Sequence, residues 1–405
     1  MGWETALHRP VRVLWVTALA PDRQGAGGHR RQAHLLDALC RRAEVHLLVS
    51  EGSPDAMTVD AVASVTHVGV SDDDWSDRPR LARRARDLWL ATASTQPREA
   101  APAGSLRRAM ARPLAHAGAD VVIVETAALA PLIRARAAGQ TWVLDLHNIG
   151  WEMAEQAAAV APGRRQAWLY RRDALKGRRW LGPLTRRYDL VATVSPEDRR
   201  LLGTGATSCV VPNGVDSRAV RPTPLPDGPT IVFTGALSTG PNVDGVGWFC
   251  SEVFPLVRAV LPQATVAVVG ARPSAVVRRL DDLDGVTVTA DVASTLPYLD
   301  GARVAVVPLR IGSGTRLKAL EAMAAGRPVV GTSVGLAGLG VEDGRHALVA
   351  DDAEGFAAAV VRLVGDDAGA RRLAGEARRL IEDHYDWGGI GERFADVVLA
   401  AARGS

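Results

Sequence analysis

A chain of 405 residues that is 47 % apolar and 23 % charged has ordinary globular composition and exceeds what one hydrophobic core serves, which predicts two domains. No run approaches the length of apolar sequence that spans a bilayer, and the amino terminus MGWETALHRP carries an acid and no apolar segment before its first strand, so neither a membrane span nor a secretory leader is expected and a cytoplasmic location is. The net charge is only +3, but residues 1–220 hold 30 basic against 23 acidic side chains while residues 221–405 hold 18 against 22.

Short β-branched runs alternate with longer helical patterns, as parallel sheets with crossover helices require. Strands are predicted at 11–17, 45–50, 121–126, 141–146, 190–195 and 209–212, then at 230–236, 265–271, 286–290, 304–309, 328–333 and 346–351. Two such sets make an α/β protein of two Rossmann-like domains facing each other across a cleft. Between the sets lies RPTPLPDGPT, whose prolines and glycine cannot sustain a helix or a central strand. The boundary is placed there, giving domains 1–220 and 221–387.

After the first strand, GAGGHRR (25–31) opens a helix whose apolar residues are Leu35, Leu36 and Leu39, so the amides of Gly27 and Gly28 are directed at the cleft. The motif departs from G-x-G-x-x-G, and no acid at the end of the second strand suits a dinucleotide ribose. From 72 to 112 strand signals give way to Arg and Ala, which reads as a helical insertion or acceptor-side lobe. His147 and Asn148 directly follow the strand TWVLDL, at a carboxyl end where open α/β sheets bind ligands. Arginine pairs then recur at 164, 171, 178, 186 and 199, as a solvated helical face or, alternatively, as a contact with an anionic membrane or a phosphorylated acceptor. Nucleic acid is not expected, because no aromatic-interleaved basic platform accompanies the charge.

The strongest signal is GSGTRLKALEAMAAGRPVV (312–330). Glycines 312 and 314 leave the backbone open, Thr315 is the expected N-cap, and a helix follows that Gly326 and Pro328 end. Arg316 and Lys318 in its first turn place cations beside the positive end of the helix dipole, which costs about 0.3–1 kcal/mol each unless an anion compensates. Free amides, glycines and two cations converge as a phosphate site would have them. Lysine is rare here, Lys176 and Lys318 being the two among 48 basic residues. Glu321, at the edge of the stripe formed by Leu317, Leu320 and Ala324, is expected to be partly buried and to need a partner: the hydroxyl pair of a ribose, or an ion pair with Arg316 or Arg327. The acidic runs 72–75 and 281–284 sit at no strand end beside a Gly-rich turn and are assigned to solvent, so no metal is expected. The three cysteines, Cys40, Cys209 and Cys250, lack metal or disulfide spacing and read as core thiols.

EAMAAGRPVVGT with its Gly-rich approach, VVPNGVD (210–216), FTGALSTGPNVDGVGWF (233–249) and DLHNIGWE (145–152) together resemble the family 4 retaining glycosyltransferases of the GT-B fold, in the branch that makes bacterial polysaccharides and related glycosides. The resemblance implies a nucleoside diphosphate sugar as donor substrate, no cofactor, and a saccharide, lipid-linked or secondary-metabolite hydroxyl as acceptor. It implies donor binding by Gly235, Ser313, Gly314, Thr315, Arg316, Leu317, Lys318 and Glu321, an acceptor and phosphate loop at Gly27, Gly28 and Asn148, and His147, Arg316 and Lys318 as the catalytic group. Glu321 matches the second acid of the family's E-x7-E pattern. The first is missing, since residues 301–320 contain no acid and its position falls on Gly312 or Ser313. The Arg and Lys that many members carry after the first strand of the second domain are likewise replaced by GALSTGPN (235–242), which leaves the countercharge to Arg316 and Lys318. The family's mechanism is front-face displacement with the leaving phosphate as base, and its final helix, here about 388–405, crosses back onto the first domain. Rival readings are a metal-independent nucleotide-sugar epimerase and a non-catalytic donor-binding partner of another glycosyltransferase.

Overall fold

The computed structural model of the protein describes residues 9–25, 27–69, 81, 97, 104–203 and 205–403. Most of the predicted insertion, including the acidic run at 72–75, lies outside the described residues; its last part is a helix, Gly104–His116.

Two parallel sheets organise the chain. The first contains β1 (Arg12–Leu19), β2 (Glu44–Glu51), β3 (Ser64–His67), β4 (Val121–Glu125), β5 (Thr141–Leu146), β6 (Leu190–Thr193) and β7 (Ser208–Val210), in the order β3-β2-β1-β4-β5-β6-β7. The second contains β8 (Thr230–Thr234), β9 (Thr265–Gly270), β10 (Val286–Ala290), β11 (Val304–Val307), β12 (Val329–Gly331) and β13 (Leu348–Val349), in the order β10-β9-β8-β11-β12-β13. Helices cover both faces, so central strands are buried throughout rather than on alternate residues: every residue of VVIVE in β4 and of TWVLDL in β5 is buried. β3, which the sequence reading lacks, is an edge strand whose four residues SVTH are mostly exposed, so it carries no apolar run.

The helices that bear on the cleft are α1 (Gly27–Cys40), α2 (Gly150–Ala159), α3 (Arg164–Thr185), α4 (Leu317–Ala324) and α5 (Trp387–Arg403). α5 follows the second sheet in sequence yet packs against α1. Its Trp387, Ile390, Phe394 and Val398 share one core with Trp15, Leu35, Leu36 and Leu39, and Trp387 stacks on His34 at 4.8 Å between ring centroids. In α3, Arg164, Arg165, Arg171, Arg178 and Arg179 are exposed on the face opposite Ala174, Gly177, Leu181 and Leu184, while Arg172 is partly buried. Among the described residues no helix is long and apolar enough to cross a membrane.

In each sheet the direction of strand addition reverses beside the first strand, between β1 and β4 and between β8 and β11. Such switch points open a crevice at the carboxyl ends of the strands, where ligands of open α/β sheets bind. Here the two crevices face each other.

Candidate functional site

The loop between β11 and α4 forms the second domain's side of the cleft, and its residues are tied to the first domain. The Ile149 amide donates to Ser313 Oγ at 2.6 Å, and the Gly312 amide donates to Gln156 Oε1 on α2 at 2.6 Å. Gly314 has φ +76°, and a Cβ there would come within 2.7 Å of the His147 carbonyl oxygen, so both the backbone angle and the close approach require glycine. Thr315 is not the N-cap that its position suggested. Its hydroxyl donates to the Val194 carbonyl at 2.8 Å and accepts from the Asn213 amide at 3.3 Å, so the side chain is committed across the cleft and Arg316 takes the cap position without a side-chain cap bond.

The two cations of the helix start part company. Arg316 folds back, donating to the carbonyls of Ser313, Gly314 and Val334, and a Cβ on Gly312 would lie 2.8 Å from its Nη2. Burial pushes its guanidinium down to about 10, with Asp198 opposing. Arg316 therefore braces the loop. Lys318 instead turns toward the end of β8: its ammonium donates to Asn242 Oδ1, lies 4.1 Å from the Phe233 ring centroid, and would be 2.9 Å from a Cβ on Gly235. Burial, then the nearby Arg316 charge, push Lys318 down to about 7 although Glu321 opposes this. Leu317, between them, faces the first domain, where a Cβ on Gly27 would meet its Cδ1 at 2.5 Å.

Glu321 is partly buried, as its place on the stripe requires, but its ion pair is with Arg30 of α1 rather than with Arg316 or Arg327. Arg327 is fully buried and donates to the carbonyls of Pro224 at 3.3 Å, on the proline-rich connection between the sheets, and of Ala302 at 3.2 Å, just before β11.

On the first domain's side, Gly27 and Gly28 begin α1, and a Cβ on Gly28 would lie 3.0 Å from His147 Nδ1. His147 Nε2 is hydrogen-bonded to Glu125 at the end of β4 and lies 3.7 Å from Asp145 Oδ2. Asp145 is held by both arms of Arg31, at 2.7 and 2.8 Å, and both residues are inaccessible to solvent. The remaining Arg31 nitrogen donates to the carbonyls of Val211 at 2.7 Å and Pro212 at 3.1 Å. Asn148 is exposed beside His147. Glu125, Asp145 and His147 bring potential ligand atoms within 4.8 Å of one another, but the guanidinium of Arg31 already occupies both oxygens of Asp145 and is the resident cation of the cluster. The acidic run 281–284 has local partners: Asp281 accepts from the Val288 amide at 2.7 Å and Asp284 pairs with Arg258 at 2.5 Å.

The sequence reading did not single out Glu125, Arg30, Arg31 or Asn242. Two signals were there to be read: a carboxylate ending an apolar strand run must find a buried partner, and Arg30 and Arg31 lie within GAGGHRR itself.

Residues 228–366 match the family described as Glycosyl transferases group 1. The chain is 27 % identical over 165 residues to an uncharacterized 44.6 kDa protein in the cps region of Klebsiella pneumoniae, an alignment that takes in 38 % of this chain and 42 % of that one. It is 30 % identical over 233 residues to glycogen synthase of Mycobacterium tuberculosis, covering 53 % of each chain. The match thus spans about half the length of these relatives. Whole-chain likeness is found among solved structures: sucrose-phosphate synthase from Thermosynechococcus elongatus superposes with a TM-score of 0.73 at 18 % identity over 98 % of this chain and 100 % of that one. HepE of Anabaena, solved in complex with UDP and glucose, superposes with a TM-score of 0.65 at 14 % identity over 96 % of this chain and 100 % of that one. The fold is GT-B.

Proposed function

We propose that the protein transfers a sugar from a nucleoside diphosphate sugar to a hydroxyl acceptor, with retention of configuration and without a metal, as a family 4 glycosyltransferase. The observation that carries this reading is Lys318: a half-buried ammonium in the first turn of α4, facing Gly235 at the end of β8 and, among the described residues, with no carboxylate in hydrogen-bond contact. A diphosphate at this point would meet the open amides at the start of α4 and that ammonium together. Glu321 is one turn further on and would bind the donor ribose, for which Arg30 must yield or share it.

Across the cleft, His147 would give a hydrogen bond or charge to the donor sugar or the leaving phosphate. The leaving phosphate accepts the acceptor's proton as it departs, so the protein's contribution is position and countercharge. Arg316, bonded to its own loop, shapes this site rather than lying free for the phosphates. The Ser313 and Gly312 contacts to the first domain stand where the family's sugar-facing acid would be. The bacterial location is proposed to be cytoplasmic, with a saccharide, lipid-linked or natural-product acceptor.

Incubating the protein with radiolabelled nucleotide sugars and acceptors, and following nucleoside diphosphate, free sugar and epimer, tests this reading. Nucleotide release coupled to glycoside formation is expected, with loss of most turnover in Lys318→Ala. Epimer without nucleotide release would overturn it, and binding without turnover would favour the non-catalytic alternative.

A further inference from the structure

Glu125 is fully buried at the carboxyl end of β4, and the chemistry proposed above does not use it. Its Oε2 is hydrogen-bonded to His147 Nε2, while its Oε1 is buried with no hydrogen-bond partner among the described residues. A carboxylate left half-satisfied in a core is costly, so a local role is needed to account for it. The charged groups around the pair come from three elements: Asp145 on β5, Arg31 on α1 and His147 itself on the loop after β5. Arg31 takes both oxygens of Asp145. Glu125 is therefore the anion in hydrogen-bond contact with the imidazole. With Nε2 held from behind, the opposite nitrogen, Nδ1, is turned toward Gly28 at the head of α1, where glycine leaves room beside the ring.

The geometry points to Glu125 as a positioning residue for His147: it fixes the orientation and tautomer of the ring and supplies the countercharge for an imidazolium whose Nδ1–H is presented to the cleft. This rests on the reading of the cleft as a sugar-transfer site. Burial pushes the Glu125 carboxyl up to about 7 against the opposing charge of His147. Burial alone would lower His147, but the charge and hydrogen bond of Glu125 and the charge of Asp145 prevail and raise it. A raised imidazole keeps its proton at low pH and loses it as pH rises through its own midpoint. Removing the Glu125 charge lowers that midpoint.

The test is nitrogen NMR of the imidazole in the 15N-labelled full-length protein, with the His147 signals assigned by their loss in His147→Gln. In Glu125→Gln the His147 midpoint is expected to fall by about 1–3 pH units and the tautomers to mix. The alkaline limb of kcat should move to lower pH by the same interval, with the donor KM little changed. Glu125→Asp keeps the charge at shorter reach and is expected to return the midpoint toward the wild-type value, and it serves also if the Gln protein does not fold. An unchanged midpoint and tautomer in a folded variant would overturn the assignment. If the NMR shift appears but the wild-type protein turns over no donor, the sugar-transfer reading fails and the positioning of His147 by Glu125 stands.

Discussion

Arg31 and Asp145 form a bidentate pair inaccessible to solvent, and Arg31 also holds the carbonyls of Val211 and Pro212, where the chain leaves the first sheet for the second. A pair of this kind adds little over apolar residues of the same shape, but removing one partner strands a charge in the core and costs about 3–5 kcal/mol. Arg31→Met and Asp145→Asn are each expected to lose stability on that scale in urea denaturation, and Arg31→Met/Asp145→Leu to lose less than the sum of two single apolar replacements. Strict additivity would show that the pair is not coupled. At this scale the sequence was only partly legible. The convergence of glycines, helix start and cations at 312–318 could be read directly, because each feature is local. Which cation faces the cleft could not, because Arg316 is held back by carbonyls of its own loop together with that of Val334, and Lys318 is drawn by a side chain at Asn242, far away along the chain. Glu125 was hidden for the same reason: its significance comes from His147 on the neighbouring strand's end.

The last helix is the clearest case at the scale of elements. α5 follows the second domain but inserts Phe394 into the first domain's core, with its ring edge-on to Trp15 at 5.9 Å. Phe394→Ala is expected to cost about 3–5 kcal/mol and to destabilise the first domain selectively, read as lost hydrogen-exchange protection in β1 and α1 with β8 and β9 unaffected. Equal loss in both sheets would contradict that division. Element type was legible wherever burial on both faces produced a predominantly apolar run, as in β4 and β5. It failed at β3, where an edge strand with exposed side chains leaves no pattern to read. The N-cap of α4 was misplaced because the Thr315 hydroxyl, suited to capping by chemistry, is spent on the Val194 carbonyl of the other domain.

For the whole molecule, the decisive feature is that the switch points of two parallel sheets meet, bringing Lys318, Glu321 and Gly235 opposite Gly27, Gly28 and His147. Two domains and their α/β class followed from strand counting, whereas contacts across the cleft, such as Arg30 with Glu321, depend on how the domains face each other. Lys318 is the proposed countercharge of the diphosphate, and burial holds it at about 7 in the free protein. A bound diphosphate favours the charged ammonium and raises that value, so binding must take up a proton near neutrality and weaken as pH rises through 7. Isothermal titration calorimetry of UDP, GDP, ADP and TDP in buffers of different ionisation enthalpy measures this directly. At least one of them is expected to bind with proton uptake and an affinity that falls above pH 7, and Lys318→Ala to lose both the affinity and its pH dependence; absence of binding by all four, or equal binding by the variant, would contradict the role given to Lys318.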